Sequence, residues 1–331
     1  MPAVKNGMQL MVTRRCHLRC TYCPVQKRDA DMSPEAADRA VDFLFTSPAR
    51  ELRLDFTGGE PFLRFDTVRR AVLRAEKLAV RLGKKISFYA VTNGIELDDE
   101  KTAFLAARPF LMELSLDGDR ATHNRFKKTH LRGLDAYACT AAAIKKVRAA
   151  GIKHFAVMVA APESAAALAY SFEHAYSLGV RSFDINYAIG RMWDSKHIEF
   201  FKRSFATICL RHGAELRSGE LNLGNFSKRC EPALLNSEIM ADADGSLHMM
   251  SEWLFERVIK GASPPFGLGS VFDKPRMADM GFGRAAAYYT LLKMYGGNRK
   301  LRGIIVNNVS AGLEIGAFVA QVKAKVCGGG R

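Results

Sequence analysis

Three cysteines near the start of the chain are the residues best suited to carry chemistry. Cys16, Cys20 and Cys23 follow a short apolar run, with three residues between the first two and two between the last two. Thiolates at this spacing on one loop can bind three corners of a cubane iron–sulfur cluster, and no fourth cysteine lies nearby, so one iron would stay open. A structural zinc site needs four protein ligands and would have to recruit His17 or a distant residue. The spacing favours the cluster and leaves zinc as the alternative.

Three later motifs also follow short apolar runs. The first is Gly58, Gly59 and Glu60, in which the glycines permit close approach of the backbone to a ligand and the carboxylate can accept from an ammonium group. The second contains Asn93 before a glycine, and the third begins at Ser115 and contains an Asp-Gly pair. Each of them alone is a common turn sequence. Their value lies in their order after the cysteine loop.

In this order, the motifs resemble those of the radical S-adenosylmethionine (SAM) superfamily. The C-x3-C-x2-C loop has an aromatic residue before its last cysteine, and the Gly-Gly-Glu, Thr-Asn-Gly and Ser-x-Asp-Gly turns follow it. The resemblance implies that one [4Fe–4S] cluster is bound by Cys16, Cys20 and Cys23. It also implies that the open iron takes the amino and carboxylate groups of SAM. Residues that match cofactor-binding positions of the family are Tyr22, Gly58, Gly59, Glu60, Asn93, Ser115 and Arg125.

The family's motifs give these residues separate roles. Tyr22 corresponds to the aromatic residue expected against the adenine, and Glu60 with the two glycines corresponds to the group that holds the methionine amine. Ser115 and Arg125 correspond to residues that contact the methionine carboxylate or the ribose. The resemblance assigns no catalytic acid or base.

The activity implied by the family is reductive cleavage of SAM. The resulting 5′-deoxyadenosyl radical abstracts hydrogen from a substrate, and a flavodoxin- or ferredoxin-type reductant supplies the electron. The Ser-x-Asp-Gly turn resembles the peptide- and protein-modifying branch, so a peptide or protein side chain is the expected substrate. Modification of RNA or of a small metabolite stays open, as does a non-catalytic cluster-binding partner subunit.

Short β-rich runs alternate with amphipathic helical stretches up to about residue 218, as in a parallel sheet. Six such units fall short of the eight that close a full barrel. We therefore expect an α/β fold in which residues 1–218 form a partial (β/α)6 TIM-like barrel. The predicted strands are Gln9–Thr13, Glu51–Thr57, Lys85–Val91, Leu111–Leu116, His154–Val159 and Ser182–Tyr187. Helices are predicted after the N-cap Ser33 and at Asp66–Leu82, Asp98–Ala107, Leu134–Ala149, Glu163–Leu178 and Ser195–Arg217.

Residues 219–331 are expected to form a smaller C-terminal α+β extension. An Asp244-Gly245 turn between Ser237–Ala241 and Ser246–Met250 predicts a hairpin. Helices are predicted at Arg284–Tyr295 and Ala311–Val326.

With Cys230, this hairpin resembles the SPASM or twitch extension, which carries auxiliary clusters in relatives. The family's next cysteine position is Met250 here, and a thioether replaces a thiolate poorly on a cluster. We therefore expect no auxiliary cluster, and we expect His248, Met249 and Met250 to line a substrate pocket or to belong to the core.

Composition places the chain among globular proteins, with 48% hydrophobic and 25% charged residues in 331. Seven cysteines, of which only three are grouped, do not resemble a disulfide framework. No signal peptide and no apolar run of about 18 residues is evident, so we expect a cytoplasmic protein without a membrane partner. The net charge of +15 favours a nucleic-acid partner only slightly. The basic run from Arg125 to Arg132 is expected to be a solvated loop.

Overall fold

The computed structural model describes residues 4–227, 234–253, 267–295 and 297–328. Its centre is a sheet with the strand order β7-β6-β5-β4-β3-β2-β1-β8-β9. Neighbouring strands are parallel, apart from β8 and β9, which form an antiparallel hairpin. The strands are β1 Gly7–Thr13, β2 Glu51–Gly58, β3 Lys85–Thr92, β4 Phe110–Ser115, β5 Lys153–Ala160, β6 Ser182–Tyr187, β7 Asn222–Leu223, β8 Ile239–Ala241 and β9 Leu247–Met249.

Helices connect the parallel strands and form most of the C-terminal part. Their bounds are α1 Pro34–Phe45, α2 Phe65–Leu82, α3 Asp99–Ala106, α4 Arg120–Phe126, α5 Ala136–Ala149, α6 Leu168–Ser177, α7 Ser195–Arg211, α8 Gly213–Ser218, α9 Met250–Trp253, α10 Arg284–Tyr295 and α11 Arg299–Cys327. Short 3-10 turns lie at Pro61–Arg64, Pro162–Ala167, Gly224–Phe226, Val271–Asp273 and Met277–Asp279.

The predicted fold class is confirmed. Each of the six predicted barrel strands is present within two residues of its expected bounds. The extension continues the barrel's sheet, because β7 pairs with β6 at one edge and β8 pairs with β1 at the other. Two predicted helices are interrupted: Glu163–Leu178 begins as a 3-10 turn, and Ser195–Arg217 breaks at His212.

One face of the sheet is an apolar core against the helices. Alternate strand residues such as Leu10, Phe56, Phe88 and Phe183 are almost fully buried in one continuous cluster with the inner faces of the helices. Burying a side chain of this size contributes about 1.5–3 kcal/mol. The alternation of the strands then sends the intervening residues to the opposite face.

That opposite face lines the interior of the barrel, and its part on β2, β3 and β4 carries polar side chains. Arg53 on β2 forms ion pairs with Asp55 at 2.7 Å and with Glu238 at 2.8 Å. On the next two strands, the Tyr89 hydroxyl donates a hydrogen bond to the Glu113 carboxylate. This part of the interior therefore offers hydrogen-bonding and charged groups to a ligand.

Helix α11 is longer than the sequence predicted. It has 29 residues, so by length and composition alone it could cross a membrane, while 39% of its most apolar 18-residue stretch is buried within the protein. The side chain of Asn308, which is fully buried, accepts from the Gly190 N–H at 2.7 Å and donates to the Arg191 carbonyl at 2.6 Å. These bonds hold the helix against the loop after β6.

Candidate active site

The four motifs meet at the carboxyl ends of four neighbouring strands. Strands β1 to β4 are parallel neighbours and end at Thr13, Gly58, Thr92 and Ser115. Their carboxyl ends lie side by side, which is where ligands bind in open α/β sheets. The cysteine loop leaves β1 at this edge, so the structure places it beside the other three motifs.

Hydrogen bonds to the sulfur of Cys16, the first cysteine, hold the cysteine loop in place. Cys16 is buried, and its Sγ accepts from the Leu18 N–H at 3.4 Å and from the Asn93 side-chain amide at 3.7 Å. Cys20 and Cys23 are half-buried, and the Cys23 N–H donates to the Cys20 carbonyl at 3.2 Å. Asn93 therefore reaches the cysteine loop from β3, as the order of the motifs predicted.

The three thiols lie close enough to influence one another. Burial raises the pKa of Cys16 and raises that of Cys20 to about 11, and the neighbouring thiols contribute to both shifts. Lys27 and Lys127 oppose the rise at Cys16 and Cys20 respectively. Thiolates bound to iron would remove the need for these protons, and the two lysines would offset part of the added negative charge.

This donor set fits a cubane cluster. Among the residues that the structure describes, no three His, Cys, Asp or Glu side chains surround a single point as the ligands of one metal ion do. A [4Fe–4S] cluster instead takes each thiolate on a different iron, so its ligands are spaced apart. His17, the candidate extra zinc ligand, has its Nε2 3.2 Å from the Glu96 carboxylate.

Gly58 and Gly59 pack against the backbone that leads into the cysteine loop. The Gly59 N–H donates to the Thr13 carbonyl at 2.7 Å, and the Glu60 N–H donates to the Arg15 carbonyl at 2.8 Å. A Cβ on Gly59 would lie 1.8 Å from the Arg15 carbonyl oxygen, and Gly58 has φ +135°. The chain's own packing thus requires both glycines, in addition to any ligand that they would approach.

Glu60 lies directly beside this contact and is fully buried. Its carboxylate accepts from the Thr92 hydroxyl at 2.7 Å, the Asn93 N–H at 2.9 Å and the Phe62 N–H at 3.3 Å. Burial raises the pKa of Glu60 to about 7 against the effect of these donors. The carboxylate therefore links the ends of β2 and β3, while its predicted contact with the SAM amine stays a prediction.

Tyr22 belongs to a buried polar network between the cysteine loop and β4. Its hydroxyl donates to Asp117, which also accepts from the Val159 N–H at 3.1 Å. The Lys127 ammonium lies 3.6 Å from the same carboxylate and 5.2 Å from the centre of the Tyr22 ring. Burial disfavours the Lys127 ammonium, but Asp117 and the thiols of Cys20 and Cys23 outweigh burial and raise its pKa.

The expectation for the basic run is wrong at its start. Residues up to Phe126 form α4, whose N-cap Asp119 accepts from two backbone N–H groups. Phe126 and Lys127 are buried, because the Thr21 N–H donates to the Phe126 carbonyl at 2.8 Å and draws this segment onto the cysteine loop. Arg125 is exposed, with its guanidinium 5.3 Å from the centre of the Phe126 ring.

The sequence prediction therefore missed one cation of the site. Lys127 is a buried cation beside the cysteine loop. In the sequence it was one of several basic residues after the Ser-x-Asp-Gly turn, and nothing distinguished it from the others. A capped helix starting at Asp119 was the available signal, since it would have placed Lys127 at the helix end. Ser115, half-exposed at the end of β4, and Arg125 keep their SAM-binding roles as predictions.

The hairpin of the extension is present, with β8 and β9 close to their predicted bounds. Met250 packs with Met11 and Met240 in a small apolar cluster, and Met249 is buried. The His248 ring lies between the Glu252 carboxylate at 3.2 Å and the Ser246 hydroxyl at 2.8 Å. Cys230 lies outside the described residues.

Comparisons with known proteins agree with this site. Residues 10–169 match the family model described as the radical SAM superfamily. GTP 3′,8-cyclase of Erythrobacter litoralis is 34% identical over 154 residues, which are 44% of this chain and 43% of that enzyme. The cysteine-type anaerobic sulfatase-maturating enzyme of Clostridium perfringens is 28% identical over 130 residues, 37% of this chain and 35% of that enzyme. The chain thus matches less than half the length of these curated relatives.

A solved structure of anSMEcpe with bound AdoMet and Kp18Cys peptide has the same fold. Its TM-score is 0.69 at 17% identity, covering 83% of this chain and 80% of that chain. A partial barrel with a three-cysteine loop and glycine turns at its carboxyl edge defines a class of iron–sulfur proteins that bind SAM. Residues 10–169, just under half of the chain, form a domain that matches the radical SAM superfamily.

Proposed function

We propose that this chain is an enzyme that cleaves SAM reductively with one [4Fe–4S] cluster and abstracts hydrogen from a peptide or protein side chain. The observation that carries the proposal is the cysteine loop at the carboxyl edge of the barrel, held there by Gly59 and Asn93. When bound, the cluster would supply the electron that converts SAM into methionine and the 5′-deoxyadenosyl radical.

The chain's own residues would bind and orient the cofactors. Cys16, Cys20 and Cys23 would hold three irons, and the Asn93 amide and the Leu18 N–H would donate to the first sulfur as they do now. The Tyr22 ring is fixed by its hydroxyl, which suits a surface that an adenine could lie against.

A hydrophilic substrate fits the interior below this edge. Arg53, Asp55, Tyr89 and Glu113 line it and already form hydrogen bonds with one another or with Glu238. The fold is shared with anSMEcpe, whose solved structure contains a peptide. Both observations support a peptide or protein side chain, while the identity to GTP 3′,8-cyclase supports a small nucleotide as the second candidate.

A low-potential flavodoxin or ferredoxin is the proposed electron donor, and the reducing cytoplasm is the proposed location. The six cysteines in the described part of the chain are free thiols. Free thiols are what a reducing compartment maintains.

The first experiment is anaerobic reconstitution followed by reduction with dithionite in the presence of SAM. We expect about four irons per chain and formation of 5′-deoxyadenosine. Cys20→Ala should lose both, whereas Cys327→Ala, which changes an exposed cysteine at the end of α11, should retain both. Zinc without iron, or iron without 5′-deoxyadenosine, would contradict the proposal.

A second experiment separates the substrate classes. Peptides, GTP and RNA, each deuterated at carbon, are added to the reduced enzyme with SAM, and deuterium in 5′-deoxyadenosine is measured. We expect label from a peptide. Label from GTP or RNA alone would replace the peptide proposal with the corresponding alternative.

A further inference from the structure

Arg14 and Asp242 form an ion pair that is almost completely shielded from water. The exposed fractions of the two side chains are 0% and 2%. The Arg14 Nε donates to one carboxylate oxygen at 2.9 Å, and a terminal nitrogen donates to the other at 2.8 Å. This two-pronged geometry is the strongest form of the arginine–carboxylate contact.

The pair joins the C-terminal hairpin to the cysteine loop. Asp242 follows β8 directly, and its carboxylate also accepts from the Ala243 N–H at 2.7 Å, which fixes it in the hairpin turn. Arg14 stands two residues before Cys16 in the segment that leaves β1. The Arg14–Asp242 contact therefore joins the hairpin directly to the segment that leads into the loop.

Asp242 also reaches the far side of the same loop. The Arg28 guanidinium lies 3.6 Å from the Asp242 carboxylate, and the Arg14 side chain donates to the Gln26 carbonyl at 3.4 Å. The Arg14 N–H donates to the Ala30 carbonyl at 2.8 Å. One buried carboxylate therefore holds the two ends of the loop on which Cys16, Cys20 and Cys23 lie.

Loss of this carboxylate would remove the two-pronged contact and a negative charge beside the buried Arg14 guanidinium. Removing one partner of a buried ion pair is strongly destabilising, so the Arg14 side chain would be held less firmly and would shift. Because Arg14 is part of the loop backbone, its movement would displace the loop.

We propose that Asp242 is a positioning residue for the cluster: the hairpin, through Asp242, closes the two ends of the cysteine loop and thereby retains the iron. This inference rests on the proposed function, because it assumes that the loop holds a cluster. It assigns to the hairpin a role in holding the barrel's own cluster loop.

The chain offers a matched control four residues away. Glu238, just before β8, accepts from Arg53 at 2.8 Å and from Gln9 at 2.9 Å, but neither partner belongs to the cysteine loop. Asp242→Asn and Glu238→Gln each remove one charge from the same face of the hairpin. Arg28→Gln is a milder variant, since Arg28 is 54% exposed and its loss leaves Asp242 paired with Arg14.

The first readout is hydrogen exchange of the cluster-free protein. In Asp242→Asn we expect exchange of residues 14–31 to be at least tenfold faster, with residues 153–160 of β5 unchanged. Arg28→Gln should give a smaller increase in the same segment, and Glu238→Gln none. Unchanged exchange in the first two variants, or equal acceleration in all three, would overturn the proposal. If Asp242→Asn does not fold, Arg28→Gln against Glu238→Gln decides.

The second readout is the rate at which a chelator removes iron from the reconstituted protein. Asp242→Asn should lose iron at least tenfold faster than wild type, and the electron paramagnetic resonance spectrum of its reduced cluster should respond less to SAM. Faster hydrogen exchange of the loop in Asp242→Asn together with wild-type iron retention would overturn the role toward the cluster. A wild-type protein that binds no iron would refute the proposed function and this role together. Faster iron loss from Asp242→Asn than from wild type supports both.

Discussion

The Tyr22 hydroxyl donates a hydrogen bond to the Asp117 carboxylate and so joins the cysteine loop to the end of β4. Tyr22 precedes the third cysteine directly, and Asp117 is held from β5 by the Val159 N–H. The loop that would bind the cluster is therefore tied to β4 and β5 as well as held by its own turns. Substitutions of Asp117 or its partners should therefore alter the position of the cysteines.

Tyr22→Phe tests this connection. Removing the hydroxyl takes its hydrogen bond from the buried Asp117 carboxylate and leaves that oxygen facing the Lys127 ammonium at 3.6 Å, which should lower the free energy of unfolding by about 1–3 kcal/mol. Urea denaturation of the cluster-free protein measures this loss. The control is Tyr137→Phe, whose hydroxyl bonds to His174 away from the cysteine loop. Iron retention should fall in Tyr22→Phe alone, and equal retention in both variants would contradict the prediction.

Lys127→Gln tests the buried cation. Its ammonium faces Asp117, and the thiols of Cys20 and Cys23 raise its pKa. Reduction adds an electron to the cluster, and a nearby positive charge stabilises that state. Removing the charge should lower the reduction potential by tens of millivolts, as measured by electrochemical titration. Lys127→Arg should restore most of it.

Two neighbours of Lys127 serve as controls. Lys128→Gln changes an exposed residue and should leave the potential unchanged. Arg125→Gln tests the role that the family's motif implies for Arg125, and a loss of SAM affinity in this variant alone would support that role. If all three charge-neutral variants shift the potential equally, the effect is one of general surface charge.

Glu60→Gln tests the buried carboxylate at the Gly-Gly-Glu turn. Burial raises its pKa from 4.5 to about 7. Between these pH values the folded chain keeps a proton that the unfolded chain has released, so the stability that Glu60 contributes falls as pH rises from about 4.5 to about 7. The shift corresponds to about 3 kcal/mol.

Because glutamine does not titrate, the variant should lack this part of the pH dependence. Urea denaturation of the cluster-free proteins at several pH values should show wild type losing about 2–3 kcal/mol relative to Glu60→Gln across this interval. Parallel curves for the two proteins would show that the Glu60 pKa is close to normal in the folded state.

The barrel could be predicted because each of its strands is signalled locally. The run Glu51–Gly58 alternates buried leucine and phenylalanine with polar residues, and turn residues follow it. The order of the motifs then placed the cysteines, Gly59 and Asn93 at one edge, because the ends of parallel strands coincide.

Contacts between distant segments could not be predicted in this way. The pairing of Arg14 with Asp242 joins residues far apart in the chain, and neither position has a periodic signal. Lys127 was hidden for a related reason, since its burial depends on the cysteine loop packing over the end of α4. The predicted helix began at Ala311, whereas α11 begins at Arg299, and Asn307 and Asn308 in its added part bond to the loop around Trp193.

Gly59→Ala tests whether the Gly-Gly turn is needed to seat the cysteine loop. The added Cβ would lie 1.8 Å from the Arg15 carbonyl oxygen and would meet main-chain atoms, which cannot rotate away as a side chain could. The backbone one residue before Cys16 must then move, so stability should fall by about 1–3 kcal/mol and iron should be lost faster to a chelator. Gly303→Ala in α11 is the control, because no atom lies within 4 Å of its Cβ position, and it should raise stability by about 0.5–1 kcal/mol with unchanged iron retention. Wild-type iron retention in Gly59→Ala would mean that the loop can bind the cluster without this contact, and the requirement for glycine would then concern the approach of SAM alone.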